Sequence, residues 1–317
     1  MTFATAMLIA LAIDAALGWP AWLHARIGHP VTWIGRLVAS LDRLWNVAAA
    51  TDTVRRAAGV VTALSVIVIT VAVAATLAAA LPAGWSGSVL AGVLAWPLVA
   101  ARSLHDHVAA VSTPLSAGDR DGARSAVAMI VGRDPQHLDP AGVSRAALES
   151  LAENTSDGIV APLLWGAILG LPGIAAYKAI NTMDSMIGHR TPRHQAFGWA
   201  AARIDDVANL LPARLTGGLL ALSSSQAGPA LACMWRDAHR HRSPNAGWPE
   251  AAMAGALGVR LSGPRVYGDR VSDEPWINAA ARDPQAADLS RGLALYRRAM
   301  LVLGVMLAMW ATLATVG

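Results

Sequence analysis

Residues 57–81 read AAGVVTALSVIVITVAVAATLAAAL, 25 positions without a charge. As a helix, a stretch of that length covers the roughly 30 Å of bilayer hydrocarbon. Arg55 and Arg56 precede it directly, and Leu81-Pro82-Ala83-Gly84 follows it. That tetrapeptide leaves room for a tight turn before a second uncharged run, 84–101. The two runs predict a transmembrane hairpin with both ends on one side. A third run, 299–316, follows Arg297 and Arg298 and predicts another crossing.

Composition agrees. Only 15% of the 317 residues are charged, 55% are hydrophobic, and the mean hydropathy is +0.43. Soluble domains carry about 25% charged residues. The sequence therefore predicts an all-α, polytopic helical membrane protein with broken or re-entrant helices and cytoplasmic helical loops. No period-two alternation predicts a substantial sheet. No linker or repeat divides the chain, so residues 1–317 read as one membrane-embedded domain.

Three further segments, 3–18, 159–180 and 207–222, are expected to cross or re-enter. The first lacks a basic leader region, with no Lys or Arg before Arg26, and holds Asp14. It reads as a retained membrane or interfacial helix rather than a cleaved signal. The second is interrupted at Gly170-Leu171-Pro172-Gly173, and the third is short and contains Pro212 and Arg214.

Arginine placement orients the chain. Residues 19–56 carry five arginines, 102–158 five, and 223–298 ten, which predicts all three on the cytoplasmic side. Single crossings at 159–180 and 207–222 would leave the charged loop 182–206 outside. Re-entry at the Gly170–Gly173 break avoids that, since irregular backbone at membrane depth is tolerated where protein buries it. The net charge of +4 and pI near 10 fit arginines facing an anionic leaflet. No aromatic–basic interleaving points to nucleic acid. The single cysteine, Cys233, excludes an intramolecular disulfide and reads as a small apolar helix residue.

Four polar clusters stand against this apolar background. Asp139-Pro140 marks a helix start and predicts a helix through about residue 155. On it, Glu149 and Glu153 are four apart and share a face, where like charges repel. A divalent cation is the economical compensation; a solvated acidic face is the plainer reading. Lys178, Asn181, Asp184 and Ser185 also share one helix face. Lys178 is the only lysine among 25 Lys and Arg residues. A chain that otherwise uses arginine is expected to need a compact ammonium there, although a Lys at an apolar edge also snorkels to the interface. Asp205, Asp206 and Asn209 form a set suited to a hard cation that bridges phosphate oxygens. Finally, Arg242, Ser243 and Asn245 read as anion-binding groups on a turn. His239 and His241 lie two apart, which does not suit a zinc site on a helix. No phosphate-binding GxxxxGK[ST] loop and no GxGxxG fingerprint occur.

These blocks resemble the CobD/CbiB family, adenosylcobinamide-phosphate synthase. The resemblance runs from His29-Pro30-Val31, Ile34-Gly35 and Gly132-Arg133-Asp134 through Glu149-Ser150-Leu151-Ala152-Glu153-Asn154 and Asp157-Gly158. It continues with Tyr177-Lys178-Ala179-Ile180-Asn181-Thr182, Asp184-Ser185, Asp205-Asp206 and Ser243-Pro244-Asn245-Ala246-Gly247-Trp248-Pro249-Glu250. Gly18-Trp19-Pro20 departs from the family's usual Gly-Asp-Pro.

The resemblance implies an ATP- and Mg²⁺-dependent amide ligase at the cytoplasmic membrane. Its substrates would be adenosylcobyric acid and 1-amino-2-propanol, or the O-phosphate of that alcohol. The bilayer and neighbouring cobalamin-biosynthesis enzymes are the partners implied. Mg²⁺ and its phosphates would fall to Glu149, Glu153, Asp157, Asp205 and Asp206. Lys178 would stabilise charge on the transferring phosphoryl group. Asn181 and Asp184 would position substrate, with Asn154, Ser185 and Asn209 among the cofactor-binding polar groups. Arg242, Ser243 and Asn245 would hold the amino-alcohol phosphate. One site then requires Glu153, Lys178, Asp205 and Asn245 to converge on a cytoplasm-facing cavity. Two other readings stay open: a Mg-dependent membrane transferase acting on a phosphate or diphosphate substrate, and a non-catalytic corrinoid carrier or signalling protein.

Overall fold

The computed structural model describes residues 2–131, 136–267, 270–272 and 274–316. The Gly132-Arg133-Asp134 block lies outside the described residues. In chain order the helices are α1 Phe3–Leu17, α2 Ala21–Ile27, α3 Pro30–Trp45, α4 Asp52–Ala79, α5 Trp85–Ala95, α6 Ala101–Ser116 and α7 Arg120–Ala128. They continue with α8 Pro140–Thr155, α9 Ala161–Ile187, α10 Trp199–Ala208, α11 Leu210–Leu222, α12 Ala227–Asp237 and α13 Gly247–Leu257. Four short strands follow, β1 Leu261–Ser262, β2 Arg265–Tyr267, β3 Arg270–Ser272 and β4 Trp276–Ile277, before α14 Ala286–Val316. β1 pairs with β4 and β2 with β3, both antiparallel. The protein is an all-α polytopic membrane protein.

By length and composition, Asp52–Ala79, Trp85–Ser116, Pro140–Ile187 and Ala286–Ala314 can each cross a bilayer. Three of them cover most of the uncharged runs 57–81, 84–101 and 299–316 read from the sequence. Phe3–Leu17 and Ala21–Trp45 pass together as a bent pair at 111°. Leu210–Leu222 has 13 residues, about 20 Å of helix, too short to cross alone.

α4 shows how such a helix packs. It buries Gly59, Thr62, Ala63, Val66 and Ala74 and exposes Val61, Leu64, Val68, Val73 and Leu77. Small residues inside and large apolar ones outside are the pattern of a helix that packs closely on protein and faces lipid. At Gly59 the approach is closest, since a Cβ there would lie 1.8 Å from the Phe197 carbonyl oxygen.

The described residues group into two compact units. The first comprises 1–100, 161–209 and 306–317, the second 101–160 and 210–305. The chain passes between them without any Gly/Ser tract, so composition marks no boundary. The core of the first unit joins α3, α4, α9 and α10 through Val38, Val66, Met183, Ile187, Phe197 and Ala201. α9 breaks at Gly170, which has φ 69° and ψ −154°. Across the break, a Cβ on Gly173 would lie 2.3 Å from the Trp165 carbonyl oxygen. Residues eight apart in a straight helix stand about 12 Å apart, so the chain turns sharply enough for the two arms to touch. This is the break expected at Gly170–Gly173, and it needs glycine twice: for the positive φ and for the close approach.

In the second unit α8 begins as the sequence indicates. Asp139 caps it, its Oδ1 accepting from the Gly142 N–H at 2.7 Å, with Pro140 at the first helical position. α8 ends in a π-helical turn, Ser156–Val160. Such turns recur at functional sites.

Candidate functional site

In the first unit the candidate residues lie at the junction of α9 and α10, apart from a second polar cluster in which Asp42 joins Asn46 and Arg193. Asp205 is buried on α10, 8% exposed. Its Oδ2 accepts from Asn209 Nδ2 at 3.0 Å, and Asn209 Oδ1 in turn accepts from the Tyr177 hydroxyl at 2.8 Å. Tyr177 and Asn209 are each 1% exposed. The sequence places Asp205 and Asn209 one helical turn apart; the relay to Tyr177 requires α9 and α10 to pack together. Trp165 fixes that packing by donating from Nε1 to the Ala208 carbonyl at 3.1 Å.

Burial, with Asp184 and Asp206 acting in the same direction, pushes the Asp205 carboxyl up to about 7. The Asn209 hydrogen bond and the Asn181 amide oppose this. No hydrogen bond of good geometry reaches Asp205 Oδ1. Three carboxyl groups thus act on one another around a buried oxygen with bonding capacity to spare. Arg203 pairs with Asp206 at 2.8 Å. Lys178 is buried, 8% exposed, on the turn of α9 that also carries Tyr177. His29 lies within its electrostatic reach. Asn181 and Asp184 are half-buried, while Ser185 is exposed and donates to the Asn181 carbonyl at 2.9 Å.

The second unit holds the other candidate residues in two places. On α8, Glu149 is buried and its Oε1 accepts from the Ser262 N–H at 2.7 Å, so part of its charge is met inside the protein. Glu153 and Asn154 are exposed on the same helix, and Asn154 Nδ2 donates to the Ser150 carbonyl at 2.9 Å. Asp157 stands half-buried in the π-helical turn. The turn before α13 gathers Arg242, Ser243 and Asn245. The Arg242 side chain is 63% exposed and lies 3.5 Å from Glu274. Ser243 Oγ accepts from the N–H groups of Asn245 and Ala246 at 3.2 and 3.3 Å. Asn245 Oδ1 accepts from Arg214 Nη1 at 3.2 Å, and the Arg214 guanidinium sits 4.5 Å over the Trp248 ring.

Among the described residues no group of three or more His, Cys, Asp and Glu side chains is placed to form a metal cage. Mg²⁺ does not require one. It keeps several waters and binds through one or two carboxylates together with substrate phosphate. The crowded carboxyl groups around Asp205, with Oδ1 unsatisfied, fit that mode.

The family described as CobD/Cbib protein matches residues 7–296. The chain belongs to the CobD/CbiB family. It is 64% identical over 315 residues to the cobalamin biosynthesis protein CobD of Rhodobacter capsulatus, covering 98% of this chain and 99% of that one. It is 46% identical over 309 residues to the protein of the same name from Brucella suis biovar 1, covering 95% and 94%. For that of Rhizobium meliloti the figures are 47% over 283 residues, covering 87% and 86%. No solved structure matches.

Within this CobD/CbiB chain the structure brings Asn181, Asp184, Asp205, Asp206 and Asn209 into one cluster on the first unit, with Lys178 on the same helix. Glu149, Glu153, Asn154, Asp157, Arg242, Ser243 and Asn245 belong to the second. Tyr177, Arg214, His241, Glu250 and Glu274 stand near these groups, and no role for them is legible from the sequence alone. Tyr177 and Glu250 stand inside the blocks that carry the family resemblance, and that adjacency was the available signal. His239 is exposed and His241 is turned inward, so the two do not share a ligand sphere.

The Tyr177 relay yields a prediction. Tyr177→Phe removes the donor to Asn209 and leaves the Asn209 amide free to rotate away from Asp205. The expected cost is about 1–2 kcal/mol of stability and a loss of activity of about ten-fold at unchanged expression. Thermal unfolding in detergent and a turnover assay check the two halves. Unchanged turnover would remove the relay from the site.

Proposed function

We propose that this chain works in cobalamin biosynthesis as a membrane amide ligase. It would join 1-amino-2-propanol, as its O-phosphate, to the propionate carboxylate of adenosylcobyric acid. The observation that carries the reading is the buried Asp205 cluster beside Lys178, in a chain 64% identical to a protein named for cobalamin biosynthesis.

A carboxylate and an amine do not condense readily in water, so the acid must first be activated. ATP would supply the phosphoryl group, and Mg²⁺ when bound would neutralise phosphate charge. Asp205 and Asp206, with Asp184 beside them, would hold that cation, in keeping with carboxylates that repel one another in its absence. Lys178 would place a compact positive charge against the transferring phosphoryl group. Asn181 and Ser185 would orient phosphate oxygens from the same face of α9. Glu153 and Asp157 offer carboxylates on the second unit, and Arg242, Ser243 and Asn245 would hold the amino-alcohol phosphate. Glu149, tied to Ser262, supports the fold around them.

The arginine distribution favours a cytoplasmic orientation for these groups. Labelling of a Gln195→Cys protein by an impermeant reagent from outside intact cells, in a Cys233→Ser background, would contradict it.

The reading is tested in a strain that lacks the chain. Cobalamin-dependent growth is expected to return with added cobinamide and not with added cobyric acid. Growth on cobyric acid alone would refute the assignment. A Mg-dependent transferase of another kind would leave the requirement at cobyric acid unaffected.

A further inference from the structure

We propose that His241 and Glu250 are positioning residues that aim the Ser243 hydroxyl at the phosphate of the amino-alcohol substrate. This deepens the assignment of the 242–245 turn to that phosphate and rests on it.

His241 Nδ1 accepts from the Ser243 N–H at 3.0 Å. A nitrogen that accepts carries no proton, so the neutral ring holds its proton on Nε2. Nε2 lies 3.7 Å from Glu250 Oε1, and the two side chains are 6% and 2% exposed. A buried carboxylate at that distance favours the tautomer with the proton facing it. Glu250 is itself fixed on the first turn of α13, and the His241 ring is held by its burial and by the Nδ1 bond, with the Gly247 backbone packed against its Cβ.

The fixed ring determines what the turn can offer a ligand. The Ser243 N–H is spent on His241, and the Asn245 and Ala246 N–H groups are spent on Ser243 Oγ. The backbone of this turn therefore has no donor left at those three positions for an anion. The side chains must supply the contacts. Ser243 Oγ already accepts two N–H bonds, so what its hydroxyl has left to give is its proton. Among the described residues no hydrogen bond takes that proton. Ser243 is half-exposed beside the exposed Arg242 side chain, so an anion reaching the turn meets a neutral donor next to a cation. A phosphate monoester suits this pair, because it has oxygens enough for both.

The two amides that resemble the two halves of imidazole separate positioning from mere bulk. Asn at 241 places a carbonyl oxygen where Nδ1 stands, and Gln places its amide near Nε2. Equilibrium binding of 1-amino-2-propanol O-phosphate and of unphosphorylated 1-amino-2-propanol to the full-length protein in detergent measures the effect. Each variant is first compared with wild type by size-exclusion profile. His241→Gln, Glu250→Ala and Ser243→Ala are expected to weaken the phosphate ester about ten-fold or more, the size of one lost hydrogen bond to a charged group. The same variants should leave the free amino alcohol within about two-fold, and His241→Asn should stay close to wild type, as its carbonyl replaces Nδ1. Equal behaviour of the Asn and Gln variants, or equal loss for both ligands, would overturn the inference while leaving the ligase reading intact. Failure of the wild-type protein to bind the phosphate ester would overturn the assignment of the turn, and the inference with it.

Discussion

Asp205→Asn protein is expected to accumulate in the membrane at normal levels and to lose turnover by about 100- to 1,000-fold, the range for loss of an electrostatic contact to developing charge. The substitution keeps the shape and the hydrogen bond to Asn209 while removing the charge. Asp205 is buried, its carboxyl is pushed up to about 7 by that burial, and Asp184 and Asp206 act in the same direction. A carboxyl raised in this way binds a proton between its ordinary value of 3.8 and about 7 in the folded protein and not in the unfolded one. Its contribution to stability is therefore complete below the unfolded value and is lost as pH rises through about 7. Metal-free protein should unfold at progressively lower temperature between pH 5 and pH 8, and added Mg²⁺ should oppose that trend most strongly above pH 7, where the carboxylate is ionised. Asp205→Asn should flatten both the slope and the Mg²⁺ response. A variant that turns over normally, or that keeps the wild-type slope, would remove Asp205 from the site.

Lys178→Arg is expected to be nearly as inactive as Lys178→Ala, each losing about 100-fold in kcat/KM, as befits a preorganised charge at the reacting group. The charge is conserved in the first variant, so the loss would come from shape. Lys178 is 8% exposed and follows Tyr177, which is buried and engaged with Asn209. A planar guanidinium is wider than an ammonium and presents its donors in a fixed fork. It would have to displace its neighbours or leave the buried position. Steady-state kinetics with varied ATP and varied amine would locate the loss. Full activity in the arginine variant would show that a generic cation suffices and that the single lysine has no chemical meaning.

Much of the membrane architecture was legible in the sequence because it depends on runs of residues. An uncharged stretch at 57–81, a Gly-Leu-Pro-Gly interruption at 170–173 and an Asp-Pro start at 139–140 are local signals with local causes. The division into two units was not legible, because the chain passes between them without a linker. The site was legible in part. Asp205 and Asn209 sit one turn apart on the chain, so their pairing could be read from spacing. Tyr177 lies 32 residues from Asn209, and nothing local announces that its hydroxyl completes the relay. Glu149 and Glu153 suggested a repelling pair in need of a cation. One partner of Glu149 is a backbone N–H, that of Ser262, 113 residues away. Every non-proline residue carries such a donor, so side-chain identity gives no sign of it. His241 illustrates a different limit. Its spacing from His239 reads as helical, whereas the helix ends in a 3-10 turn at Ala238–Arg240 and the ring folds onto Ser243.

The central claim is that this membrane protein forms an amide at a carboxylate made reactive by ATP. The most direct measurement incubates purified protein in detergent with adenosylcobyric acid, 1-amino-2-propanol O-phosphate, ATP and Mg²⁺, and follows corrinoid mass and nucleotide hydrolysis together. The account predicts adenosylcobinamide phosphate and nucleotide product in equal amounts, with neither formed when the amine or Mg²⁺ is left out. Amide formation that proceeds undiminished without ATP, or nucleotide turnover with no gain of mass on the corrinoid, would contradict it.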